Sequence, residues 1–163
     1  MSTLYVDTIN EKTSGNGIYI PGHVVQVINT VKTDVFSTTS TSFVDVTGLS
    51  ATITPSSTSS KILVLVNGFI SNAAANNYCY VKILRGTTEI DENVQIDHQA
   101  YSNNGRNFLN VIYDSPAATS ATTYKVQIRA ELSSNAARIN GGASAGTTSS
   151  IPNTNITLME IGG

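Results

Sequence analysis

Apolar and polar positions alternate along this chain in short runs, the pattern that predicts strands. The clearest run is Thr122 to Leu132, with Tyr124, Val126, Ile128, Ala130 and Leu132 on one face and Lys125, Gln127, Arg129 and Glu131 on the other. Tyr78 to Leu84 alternates in the same way and reaches Arg85-Gly86-Thr87, a turn across which Thr88 to Ile96 pairs back. Lys61 to Ile70 is nearly continuous in Ile, Leu, Val and Phe, which predicts a strand buried on both faces or lying at the centre of a sandwich. Phe108 to Tyr113 and Asn155 to Ile161 supply two more strands, the last with Ile156, Leu158 and Glu160 on one face. His23 to Val31 opens the main body, and Phe36 marks its continuation or a bend. Phe43 to Val46 and Leu49 to Thr54 flank Thr47-Gly48, read as a corner or hairpin turn.

Helical spacing is nearly absent. Eight or so main strands, at roughly 8 to 12 residues apart, predict an all-β chain: an antiparallel β-sandwich with jelly-roll-like topology. Ahead of it, Leu4 to Ile9 and Ile18 to Ile20 flank the turn cluster Thr13 to Gly17, and Pro21-Gly22 ends the segment. Residues 1–22 therefore read as a short N-terminal β-hairpin, an anchoring segment, and 23–163 as the β-sandwich domain.

Composition narrows the function. At 163 residues and 40% hydrophobic, the chain has enough apolar material for one core. Only 12% of residues are charged, about half the usual share of about 25%, and Ser, Thr, Asn and Gly take their place. The net charge of −2 and the lack of a basic stripe argue against a nucleic-acid partner, and weak self-repulsion suits an assembly. A single cysteine, Cys79, rules out an intrachain disulfide and a multi-cysteine zinc site; on a strand it reads as a small buried hydrophobe. The first residues lack the basic and apolar regions of a signal peptide. No apolar run reaches the roughly 18 residues that would span a bilayer, so no membrane insertion is expected.

No constellation of acids, bases or ligands converges, so neither an enzyme nor a cofactor or metal site is expected. Glu89, Asp91, Glu92, Asp97 and His98 form the densest cluster, but the run lacks the glycine of a calcium loop. It reads as a solvated strand edge ahead of a weak cation site. His23 and His98 stand in no metal-ligand spacing, and no Gly-x-Ser-x-Gly elbow occurs. The sequon Asn155-Ile156-Thr157 falls inside a predicted strand. Within the polar loop Asp97 to Asn107, Tyr101 with Asn103, Asn104, Arg106 and Asn107 combines an aromatic platform with amide groups, a candidate glycan contact as well as an ordinary turn-rich loop. Ser133 to Ser150 reads as a loop or short hairpin with Arg138-Ile139 as its strand-like piece.

Three stretches carry a resemblance. Leu4-Tyr5-Val6-Asp7-Thr8-Ile9 with Ile18 to Val27, Ser40 to Leu49 with Ile53 to Val64, and Thr157-Leu158-Met159-Glu160-Ile161 together resemble structural proteins of bacteriophages, cyanophages especially, of the short-fibre or capsid-decoration type. The resemblance implies a homotrimer on the virion surface, made in the host cytoplasm, with major capsid or tail proteins as partners. It also implies attachment through the N-terminal segment, where Leu4, Val6, Ile9, Ile18 and Ile20 offer apolar side chains to the particle or to sister chains. The chain has no length for a long shaft, which favours a cement protein or short spike. A tail-fibre module that binds host surface glycans is the alternative.

Overall fold

The alternating runs extend rather than coil because their β-branched and aromatic side chains fit a pleated, half-buried surface. The computed structural model describes residues 22–72, 78–96, 105–141 and 153–163, with the backbone alone for 92–96. The chain order is β1 (Val24–Lys32), β2 (Phe36–Thr38), β3 (Val44–Ile53), β4 (Lys61–Asn72) and β5 (Cys79–Arg85). It continues with β6 (Thr88–Ile96), β7 (Gly105–Asp114), β8 (Thr122–Ala130), β9 (Ala137–Ile139) and β10 (Thr154–Ile161).

These strands form an all-β antiparallel sandwich. In the first sheet, β1, β10, β4 and β7 lie side by side, with β9 and β2 continuing beyond the end of β10. The second sheet has the order β3-β8-β5-β6. The long strands cross repeatedly between sheets along the chain, so each inner face is assembled from distant segments. Val64, Val66, Ile156 and Leu158 from the first sheet meet Ile53, Val81, Ile83, Val126 and Ile128 from the second, all essentially inaccessible to solvent. Each such side chain contributes on the order of 1.5–3 kcal/mol by leaving water.

Three expectations change, and for β4 one of two alternatives holds, a strand at the centre of the sandwich. Thr47-Gly48 is not a hairpin turn, because both flanks stay in β3 and pair with β8. Between the pairs Asp45↔Gln127 and Ser50↔Lys125, β3 advances five residues while β8 advances two, and Gly48 at φ 81° absorbs the bulge. β4 buries one face only: Ile62, Val64 and Val66 point inward, while Leu63 and Leu65 are half-exposed. Leu132 lies beyond the end of β8 and is exposed rather than inward. Finally, the polar loop ends before Gly105, since Gly105, Arg106 and Asn107 pair with Ser71, Ile70 and Phe69 of β4.

One seam holds the first sheet together. The flank of β4 that faces β10 as far as Asn67 is taken over by β9 from Ile70. At the junction the Phe69 N–H donates to Thr154 Oγ1 (3.3 Å), the Thr154 hydroxyl donates to Asn140 Oδ1 (2.7 Å), and the Asn140 N–H donates to the Phe69 carbonyl (3.0 Å). Buried Asn140, at φ 57°, also donates from Nδ2 to the Lys32 carbonyl (2.7 Å). A Cβ at Gly68 would stand 2.1 Å from Thr154 Oγ1, so only glycine fits there. The far end is clamped across the sheets: Arg85 Nη1 donates to both carboxylate oxygens of Asp114 (2.6 and 2.7 Å), and the Tyr124 hydroxyl donates to the same carboxylate (2.7 Å).

Gly68→Ala is expected to destabilise the fold by about 1–3 kcal/mol through overpacking at this seam, read as a lowered urea midpoint with an unchanged slope.

Candidate functional site

In an antiparallel sandwich the outward residues of each strand are ordinarily polar. The first sheet departs from this. The register aligns Val27, Met159, Leu63 and Tyr113 in one row across β1, β10, β4 and β7. The next rows are Asn29, Thr157, Leu65 and Val111, then Val31, Asn155, Asn67 and Leu109. None of these residues carries a charge. Leu109 is 65% exposed, Tyr113 62%, Val111 57%, Val27 52% and Val31 46%. Inside the panel the Asn29 amide donates to the Thr157 hydroxyl at 2.6 Å, so part of its polar surface is already satisfied.

With strands about 4.8 Å apart and residues rising about 3.4 Å, the panel measures about 14 Å on a side between backbone atoms. Side chains widen it to about 400 Å², polar members included, which is the size of the largest patch on an ordinary monomer, often a functional one.

The outer face of the second sheet is polar by contrast. Lys125 donates to Asp45 at 2.9 Å, Gln127 to the same carboxylate at 2.7 Å, and Lys82 pairs with Glu89 at 2.6 Å. The hydrogen bond from Lys125, followed by that from Gln127, holds the Asp45 carboxyl below its ordinary pKa.

The residues singled out in the sequence fall as follows. Leu4, Val6, Ile9, Ile18 and Ile20 lie outside the described residues, as do Tyr101, Asn103, Asn104, Asp97 and His98. Arg106 and Asn107 stand exposed at the start of β7. Asn107 lines an open cleft of about 340 Å³ with Asn67, Gly68, Phe108 and Asn153. Of the acidic cluster, Glu89 pairs with Lys82, and Asp91 accepts from the Asn110 amide at 2.8 Å. Among the described residues no three His, Cys, Asp or Glu side chains are grouped to hold a metal. Cys79 is fully buried, its thiol directed at the Ser71 carbonyl (3.2 Å). A scan of protein-family models and a search of curated proteins each find no match to this chain.

Sequence reasoning missed the apolar panel, because its members come from four separated segments. It also missed Glu160, the only fully buried carboxylate among the described residues. Glu160 Oε1 accepts from the Ser56 N–H (2.7 Å) and hydroxyl (2.6 Å), and Oε2 from the Gln26 amide (2.6 Å). Burial alone would raise its pKa, but the hydrogen bonds it accepts, those from Gln26 and Ser56 foremost, outweigh that effect and hold it below the ordinary 4.5. The signal was its position on the same alternation as Ile156 and Leu158. Its donors hold the Pro55 to Ser60 loop against β10, a structural task.

Because Glu160 is more acidic folded than unfolded, its ionisation stabilises the fold at neutral pH. That contribution is lost as pH falls below the ordinary carboxylate value and through the lower folded one. Glu160→Gln is expected to cost about 1.5–3 kcal/mol at pH 7. The gap to the parent protein should close in acid, checked by urea unfolding at neutral pH and at about pH 2.5.

Proposed function

We propose that this protein is a non-enzymatic structural subunit whose copies associate through the outer face of the first sheet. The assembly is of the virion-surface kind, a capsid decoration protein or short fibre, that the sequence resemblance implies. The observation that carries the reading is the uncharged apolar panel spanning β1, β10, β4 and β7. A second copy is the occupant that suits it. A surface with no charge on it meets no like-charge penalty when three copies of it converge about an axis, and it offers no ion-pair partner to a charged one. The chain's net charge of −2 and its low charge content favour the same outcome. The crossing order of the long strands between the sheets suits a jelly-roll-like subunit, and the homotrimer is the stoichiometry that the resemblance implies.

The anchoring role assigned to residues 1–22 draws support from the start of the sandwich body. The Gly22 N–H donates to the Gly162 carbonyl (2.9 Å), and the Gly162 N–H donates to the His23 carbonyl (2.9 Å). These bonds fasten the chain to the corner of the first sheet where β1 begins, next to the panel. A second reading, a module that binds host glycans, is favoured by the cleft that joins Asn107 to Asn67 and Asn153; its three carboxamides can donate to and accept from sugar hydroxyls. Asn67→Ala with Asn107→Ala would abolish such adhesion.

Sedimentation of the intact chain is expected to give three times 17.2 kDa. The register-paired Leu65→Lys and Val111→Lys substitutions should return a folded monomer, because copies would then bury unpaired ammonium groups. A wild-type monomer at tens of micromolar would sink the reading. Removal of residues 1–22 is expected to abolish particle binding and leave a body with unchanged strand circular dichroism; unfolding on that deletion would refute a separate anchor.

A further inference from the structure

On the outer face of the second sheet, opposite the panel, one cation lacks, among the described residues, the carboxylate partner that its neighbours have. Lys125 is paired with Asp45 (2.9 Å) and Lys82 with Glu89 (2.6 Å). Arg129, half-buried on β8, has no carboxylate within ion-pair distance among the described residues; its polar contact is a long 3.5 Å bond to the Ala130 carbonyl. Aromatic rings surround it instead. The register sets Arg129 beside Tyr80 of β5, and Phe43, next to Val44, lies on its other flank. The guanidinium carbon lies 3.5 Å from the Tyr80 ring centroid and 5.3 Å from that of Phe43, and the Tyr78 ring stands 6.5 Å from Tyr80 at a tilt of 59°. Lys82 Nζ lies over the other ring of the group, 4.3 Å from the Phe43 centroid.

A guanidinium stacked through its flat face keeps its in-plane N–H donors, and those donors match the two oxygens of a carboxylate. The rings fix the fork in place, so little freedom remains to be lost on binding. They also bring apolar faces next to it, of the kind that pack against the C–H surfaces of a pyranose. The chain as a whole is acidic, with a net charge of −2, so an anion would be drawn to this point rather than to the surface at large.

We propose that Arg129, framed by Tyr80 and Phe43 with Tyr78 beyond Tyr80, binds the carboxylate of an acidic saccharide. The site shares no residue with the apolar panel or with the Asn107 cleft. It also faces away from the panel, so it stays open when copies associate.

The test is titration of the full-length chain with tetragalacturonate, followed by amide chemical shifts in two-dimensional NMR, with uncharged galactotetraose as control. Saturable shifts at Phe43, Tyr80 and Arg129 with a Kd on the order of 1 mM are expected. Arg129→Gln should weaken binding at least about tenfold, and Arg129→Lys should fall between, keeping the charge without the planar fork. Lys125→Gln, which disturbs a cation already paired, should change the Kd by less than about twofold. The proposal is overturned by equal binding of the uncharged sugar, by an Arg129→Gln protein that binds as the parent does, or by no shifts at about 20 mM ligand. A sulfated tetrasaccharide that binds as tightly as the carboxylated one would also overturn the carboxylate assignment. The sedimentation of Arg129→Gln should match the parent's, so failure here is distinguishable from failure of self-association.

Discussion

β4 must have both backbone edges satisfied along its whole length, because it lies inside the first sheet and its N–H and C=O groups have no water to turn to. One edge is met continuously by β7, from Ile62 to Ser71. The other is divided between β10 and β9, and the division would leave a gap at Gly68 and Phe69 but for two residues. The Thr154 hydroxyl accepts from the Phe69 N–H, the Asn140 backbone N–H donates to the Phe69 carbonyl, and the Asn140 side chain accepts from the Thr154 hydroxyl. The Asn140 side-chain amide also ties in the end of β1 through the Lys32 carbonyl. Four strands thus depend on one junction.

A closed first sheet is what gives the molecule two unlike faces. Outside the first sheet, three rows of residues from β1, β10, β4 and β7 line up without a charge among them. Outside the second, acids and bases are interleaved, Asp45 with Lys125 and Glu89 with Lys82. The two faces are set by the same alternation that builds the core. Every outward position on β8 between Thr123 and Arg129 is polar, and no outward position on β7 between Leu109 and Tyr113 is.

That difference explains what could be read from the chain beforehand. The strand character of Thr122 to Ala130, the turn at Gly86 and the burial of Cys79 follow from local pattern alone, since period-two alternation and turn chemistry act over a few residues. The run Ile62 to Val66 was ambiguous, because an apolar outward residue looks the same in sequence whether a second layer of this chain covers it or nothing does. Only the register decides, and the register brings Leu63 beside Met159 and Tyr113 from far along the chain. Glu160 was visible as an acid on a buried alternation, but Gln26 and Ser56, which make it tolerable there, come from β1 and a loop. Arg129 was placed correctly on the polar face of β8, whereas its aromatic frame required Phe43 and Tyr80 to arrive on either side. The Thr47-Gly48 bulge misled for a local reason: the same dipeptide that turns a hairpin also accommodates extra residues in a continuing strand.

The pairing of β1 with β10 has a consequence for how the molecule is made. Thr30 lies opposite Ile156 and Val27 opposite Met159, so these neighbours are separated by most of the sequence. Contacts of such long range require the intervening chain to be gathered first, which slows folding relative to local architectures. During synthesis β10 is the last of the ten described strands to appear, and until it inserts, β1 has no partner among the other described strands of its sheet and β4 has one edge open over seven residues, Lys61 to Asn67. The exposed edge of a half-built sheet is a template for the wrong chain. Completing each sheet before a second copy arrives is therefore the order that keeps β1 and β4 out of the wrong pairing.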